Sequence, residues 1–181
     1  MPPHIWRVRA GLRSIVLIGF MGTGKSSIGR LLAREYGWPR FDTDEMIEAE
    51  LGISIAKIFA QLGEERFRQV ETDVLKKLDT QKPAIIVTGG GIVLRRQNIK
   101  RIRELGAVVW LTADLGTLQK RLSRRKDRPL LQAPNAAKTI ATLLEQRKKF
   151  YKEAADLVID TSRLDQRKVA QAISDGLQIS R

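Results

Sequence analysis

The chain has 181 residues, 43% of them hydrophobic, a length that holds one domain with its own core and excludes a two-domain enzyme of ordinary build. No apolar run reaches the roughly 18 to 20 residues of a membrane span; with no Cys and one His (His4), thiolate metal sites, Cys nucleophiles, zinc centres and histidine triads are excluded too. Catalysis must rest on carboxylates, Lys, Arg, hydroxyls, backbone amides and a hard cation, while a net charge of +13 calls for an anionic partner: nucleic acid, a membrane surface or a phosphorylated small molecule.

Residues 1–13 are basic and acid-free and lack the apolar stretch of a secretory signal, so they read as a short N-terminal extension, with a transit peptide as the alternative. Ser14 to Ile18 is a compact apolar run ending at Gly19 and predicts a buried strand. Lys25 to Tyr36 carries helical spacing through Ile28, Leu31, Leu32 and Tyr36, and Gly37 suits the position just past a helix end. A second strand is expected before Asp42. Further apolar runs stand at Ala84 to Val87, Ala107 to Leu111 and Leu157 to Ile159, separated by helical patterning over about 63–79, 96–105, 114–125, 136–153 and 165–177. Strands alternating with helices imply parallel pairing, and fully apolar strands imply a sheet covered on both faces. The expected architecture is a three-layer α/β domain over 14–181. Two stretches interrupt the alternation, Asp44 to Gln61 with helical patterning and Ser123 to Pro134, which is basic and contains two prolines. Such interruptions tend to carry substrate contacts or lids.

Gly19-Phe20-Met21-Gly22-Thr23-Gly24-Lys25-Ser26 matches GxxxxGK[ST] in full, after a strand and at the start of a helix. In that context glycines let backbone amides turn around phosphates, Lys25 reaches the β and γ phosphates, and the Ser26 hydroxyl binds Mg²⁺. This reads as a nucleotide-binding P-loop, a device shared by motors, switches and small-molecule kinases. The short chain favours a metabolite kinase.

Asp42 and Asp44 leave the second strand two residues apart; one suits a metal shell and the other can take a proton from an acceptor hydroxyl, with a helix N-cap pair as the plainer alternative. Glu64, Arg68 and Glu71 fall on one helical face, so the carboxylates can hold Arg68 for bidentate carboxylate recognition, or form a solvated ion-pair face. Val87-Thr88-Gly89-Gly90-Gly91 lets a bound molecule approach the backbone, or makes an ordinary strand-to-helix turn. Arg128-Pro129-Leu130-Leu131 lies in the second interruption, and Arg147 on the next helix.

Taken in order, LIGFMGTGKSS, FDTDE, GEERFR with Glu71, VTGGG, RPLL and Arg147 resemble the shikimate kinases, over about Ser14 to Leu177. The resemblance implies a five-stranded parallel sheet in order 2-3-1-4-5, an acceptor-binding segment at about 42–72 and a mobile lid at about 123–134. It implies transfer of the ATP γ-phosphate to the shikimate 3-hydroxyl, in the route to aromatic amino acids. Asp44, Arg68, Gly89, Gly90, Gly91 and Arg147 would hold shikimate. Gly22, Thr23, Gly24, Lys25, Ser26 and Ser27 would hold ATP, and Ser26 and Asp42 one Mg²⁺. Lys25, Asp44 and Arg128 would act in the transfer, Arg128 from the lid, while Arg121 and Arg163 are candidates for the adenine. A cytoplasmic monomer with neither membrane nor nucleic-acid partner is expected.

The sequence departs from that pattern in its cationic stretch before Arg128 (Arg121, Arg124, Arg125, Lys126) and in its high net charge. Mutual repulsion among Arg124, Arg125, Lys126 and Arg128 would make lid closure depend on a polyanion; a solvated charged loop is the alternative. Two other readings stay open. A kinase for another hydroxylated acid such as gluconate fits less well, because Asp44, Arg68 and Arg147 together suit a ring diol plus a carboxylate. A nucleic-acid-binding P-loop protein would account for the charge, but only Phe67, Phe150 and Tyr151 lie near basic clusters.

Overall fold

The computed structural model describes residues 14–78, 81–123 and 136–179. The five strands are β1 (Ser14–Ile18), β2 (Arg40–Asp42), β3 (Ile85–Val87), β4 (Gly106–Thr112) and β5 (Leu157–Asp160). The helices among the described residues are α1 (Lys25–Tyr36), α2 (Thr43–Leu51), α3 (Ile55–Lys77), α4 (Arg96–Leu105), α5 (Leu115–Ser123), α6 (Ala136–Ala154) and α7 (Gln166–Gly176), with a short 3₁₀ turn at Ile92–Leu94. The sheet runs β2-β3-β1-β4-β5 with every neighbouring pair parallel, the order the resemblance implied.

Side chains alternate across a strand, so the inner strands β1, β3 and β4 each supply two cores, whereas the edge strand β5 packs on one face and leaves Val158 exposed. Val16, Ile18, Ile86, Val108 and Trp110 pack with Leu75 of α3, Ile99 and Ile102 of α4 and Tyr151 of α6. Ile15, Leu17, Ile85, Val87, Val109 and Leu111 pack with Ile28 and Leu32 of α1 and Val169 and Ile173 of α7. Each fully buried aliphatic side chain contributes roughly 1.5–3 kcal/mol, which is why the apolar runs end up as the middle layer. Gly29 brings α1 close to the sheet, since a Cβ there would run into Val87. That close approach offsets the backbone-entropy cost of a glycine inside a helix.

The first interruption, read from the sequence as a stretch of helical patterning, is not one continuous helix. Its pattern splits at Gly52, where φ is 68° and the N–H closes on the Glu48 carbonyl to end α2. Ser54 then starts α3 by accepting a hydrogen bond from the Lys57 N–H. At Gly63 φ is 75° and ψ 171°, so α3 breaks into two arms, the second of which carries Arg68. Helical periodicity continues through Gly52 and hides that break, whereas the break at Gly63 falls where the sequence already starts a separate helical segment. No helix among the described residues is long and apolar enough to cross a membrane.

Candidate active site

Five parallel strands point their C-terminal ends at one rim, where loops and helix N-termini converge. A cleft of 1190 Å³ lies there, lined from the loop after β1, past the ends of β2 and β3, to α6. Its two halves are built differently.

In the first half Gly19, Gly22 and Gly24 have φ of 140°, 83° and 98°, conformations that strain any residue bearing a side chain. They wrap the loop around Lys25, whose ammonium donates to the carbonyls of Gly19 (2.7 Å) and Phe20 (3.0 Å). The Thr23 hydroxyl also donates to the Phe20 carbonyl at 2.8 Å. The loop runs into α1, whose first turn holds no acidic residue to offset the positive end of the helix dipole. From behind, Arg121 of α5 donates to the carbonyl of Gly22 (3.2 Å), the hydroxyl of Thr161 (2.9 Å) and the carbonyl of Thr161 (2.7 Å). The loop is thus braced against the residue that follows β5.

In the second half the parts come from β2, α2, α3, the loop after β3 and α6. Asp42 ends β2 and caps α2: its Oδ1 accepts the Asp44 N–H at 3.2 Å while Oδ2 pairs with Arg40 at 3.1 Å. Burial pushes its carboxyl above the usual aspartate range, helped by the charges of Asp44 and Glu45. The Gly89 N–H donates to the Thr43 hydroxyl at 3.1 Å, fastening the start of α2 to the loop after β3. Arg68 is 8% exposed. It is held by Glu71 (Nη1 to Oε2, 2.9 Å) and by Glu64 (Nη2 to Oε1, 3.1 Å), the same-face grouping that the sequence spacing predicts. Glu71 is fully buried, and desolvation raises its carboxyl pKa despite the opposing Arg68 charge.

Two of the three glycines, Gly89 and Gly91, are imposed by these neighbours. A Cβ on Gly89 would stand 2.7 Å from Asp44 Oδ1 and 2.8 Å from Glu71 Oε1, and one on Gly91 would overlap the Arg68 guanidinium. A Cβ on Gly90 would come within 3.4 Å of the Gly19 carbonyl oxygen and 3.6 Å of the Met21 nitrogen. Gly90 is therefore where the two halves touch. Arg147 of α6 lies 5.7 Å over the Phe20 ring and donates to the Gly90 carbonyl at 3.3 Å.

A phosphate-cradling loop against a pocket of paired carboxylates and arginines fits a kinase for a small anionic alcohol, and comparison with known proteins decides which. The family model for shikimate kinase matches residues 21–178. The chain belongs to the shikimate kinase family. It is 46% identical to a shikimate kinase from Moorella thermoacetica over 165 residues, 91% of this chain and 94% of that one. With a shikimate kinase from Thermodesulfovibrio yellowstonii the identity is 43% over 162 residues, covering 90% and 93%. Among solved structures, the shikimate kinase from Acinetobacter baumannii in complex with shikimate has a TM-score of 0.85 at 38% identity, covering 90% of each chain.

In this family member the cleft collects Gly22, Thr23, Gly24, Lys25, Ser26 and Ser27 on one side and Asp42, Asp44, Arg68, Gly89, Gly90, Gly91 and Arg147 on the other. Arg121 also lines it, but its guanidinium is already bonded to Gly22 and Thr161, a bracing task that the sequence did not reveal. Arg163 is exposed in the turn before α7 and does not line the cleft. Arg128 lies outside the described residues, with all of the expected lid except Ser123. Two residues had no place in the site as read from the sequence, although Tyr151 was noted there as an aromatic near basic residues. Thr161 follows the end of β5 and donates through its hydroxyl to the Thr23 carbonyl at 3.2 Å; its place just past a parallel strand was the available signal. Tyr151 stands four residues after Arg147 on α6, hence on the same helical face.

Proposed function

We propose that this chain transfers the γ-phosphoryl group of ATP to the 3-hydroxyl of shikimate, giving shikimate 3-phosphate and ADP. The junction at Gly90 carries the reading, because it sets the P-loop directly against a pocket holding both an aspartate and two arginines. A ring bearing hydroxyls and one carboxylate matches that pocket: Asp44 takes the hydroxyl to be phosphorylated, and Arg68 grips the carboxylate with a two-pronged guanidinium, joined by Arg147. Glu64 and Glu71 hold Arg68 in place beforehand, which lowers the entropy lost on binding. Lys25 leaves its two carbonyl acceptors for the β and γ phosphates. The acceptor oxygen bonds to the γ phosphorus as the bridge to ADP breaks, ADP keeps that bonding pair, and the hydroxyl proton passes to Asp44 and on to water. Because such transfer is largely dissociative, the alignment Asp44 imposes contributes more than its basicity.

Mg²⁺ fits the donors present. Ser26 and Asp42 offer hard oxygens in the cleft. When bound, Mg²⁺ supplies charge neutralisation for the phosphates. The same reading takes 14–181 as a single kinase domain with its acceptor segment at 42–72, working as a cytoplasmic monomer.

The test is ADP release by the purified protein with ATP and shikimate, gluconate or a single-stranded oligonucleotide, with the product identified by phosphorus NMR. Release should depend on shikimate and yield the 3-phosphate. Release driven by gluconate or oligonucleotide, with none from shikimate, would overturn the reading.

A further inference from the structure

Tyr151 is the largest fully buried side chain among the described residues, and it is not an ordinary core aromatic. Its ring stacks on Trp110 of β4 with centroids 5.6 Å apart and planes 21° from parallel. Its hydroxyl donates to the Gly90 carbonyl, the same oxygen that Arg147 approaches at 3.3 Å. Burial pushes the Tyr151 phenol up to about 12, so it remains a protonated donor at any working pH.

Two consequences follow from this geometry. Gly90 has no side chain, so hydrogen bonds and contacts alone fix its peptide planes. A trans peptide turns its N–H opposite to its carbonyl, so anchoring the Gly90 oxygen on α6 aims the Gly91 N–H away from α6. Moreover, a buried carbonyl that lacked the tyrosine would draw the nearest donor fully onto itself, and that donor is Arg147. Resting on the proposed function, we propose that Tyr151 is a positioning residue of the acceptor half: its hydroxyl satisfies the Gly90 carbonyl, which fixes the glycine loop and leaves Arg147 able to turn to the acceptor's carboxylate.

Tyr151→Phe keeps the ring and its stack and removes only the hydroxyl. The expected result is a shikimate KM raised about tenfold, an ATP KM within about twofold of normal, and a Tm within a few degrees. Trp110→Phe loosens the same core with the hydroxyl retained, and should lower Tm while leaving the shikimate KM within about twofold. An unchanged shikimate KM in Tyr151→Phe, an equal rise in both KM values, or an equal rise in Trp110→Phe would overturn the proposal. So would a Tyr151→Phe chain that fails to fold, since the hydroxyl would then be a stability element. Failure of the unaltered protein to phosphorylate shikimate would instead overturn the function on which the proposal rests, and is read separately.

Discussion

The two halves of the cleft solve the same problem, holding an anion, by opposite means. The nucleotide half is a contiguous octapeptide shaped by backbone: three glycines at positive φ, one lysine folded onto its own loop, and a helix N-terminus behind. The acceptor half is assembled from β2, α2, α3, the loop after β3 and α6, and is shaped by side-chain charges bracing one another. A backbone cradle recognises phosphate, a group common to many ligands. A side-chain network recognises one arrangement of hydroxyls and carboxylate, so specificity should reside in the second half and chemistry at the seam.

Substitutions can separate those roles, and the largest effect belongs at the seam. Lys25→Ala removes the ammonium that offsets charge on the transferring group, and turnover should fall by at least about a hundredfold in a protein that still folds. Stopped assays with a circular dichroism control would check it; near-normal turnover would remove the P-loop from the mechanism. Asp44→Asn should reduce phosphoryl transfer by about a hundredfold while calorimetry finds ATP affinity within about twofold of normal. A matching loss of ATP affinity would move Asp44 into the nucleotide half.

How much of this was legible beforehand follows the same division. The P-loop could be read from residues 19–26 alone because its chemistry is local in the chain. The acceptor half could be named only by resemblance, since Asp44, Arg68, Gly90 and Arg147 are spread over a hundred positions and each has a plainer reading on its own. Asp42 illustrates the difficulty, for it caps α2 as an isolated Asp-x-Asp would. The strands and their order were accessible through alternating apolar runs and the family pattern, as was the boundary near Gly63, whereas the break at Gly52 was hidden inside continuous helical spacing. Tyr151 was illegible for another reason. Sequence cannot distinguish a tyrosine buried for its ring from one buried for its hydroxyl.

A smaller effect tests the packing of the acceptor half. Gly91 has φ of −106°, which any residue adopts, so Gly91→Ala adds no backbone strain and acts only by pushing against Arg68. Because Glu64 and Glu71 pin that guanidinium, the methyl group should displace it and raise the shikimate KM about tenfold, with the ATP KM nearly unchanged. Steady-state kinetics with each substrate varied in turn would measure this; an unchanged shikimate KM would mean that Arg68 yields without consequence.

The separation of the halves is tested most directly by calorimetric titration of Arg68→Lys with shikimate and, separately, with ATP. Lysine keeps the charge but cannot offer two parallel donors to a carboxylate. Shikimate affinity should fall by about tenfold or more while ATP affinity stays within about twofold. Unchanged shikimate affinity, or an equal loss for both ligands, would contradict a cleft in which backbone holds the nucleotide and Arg68 reads the acceptor.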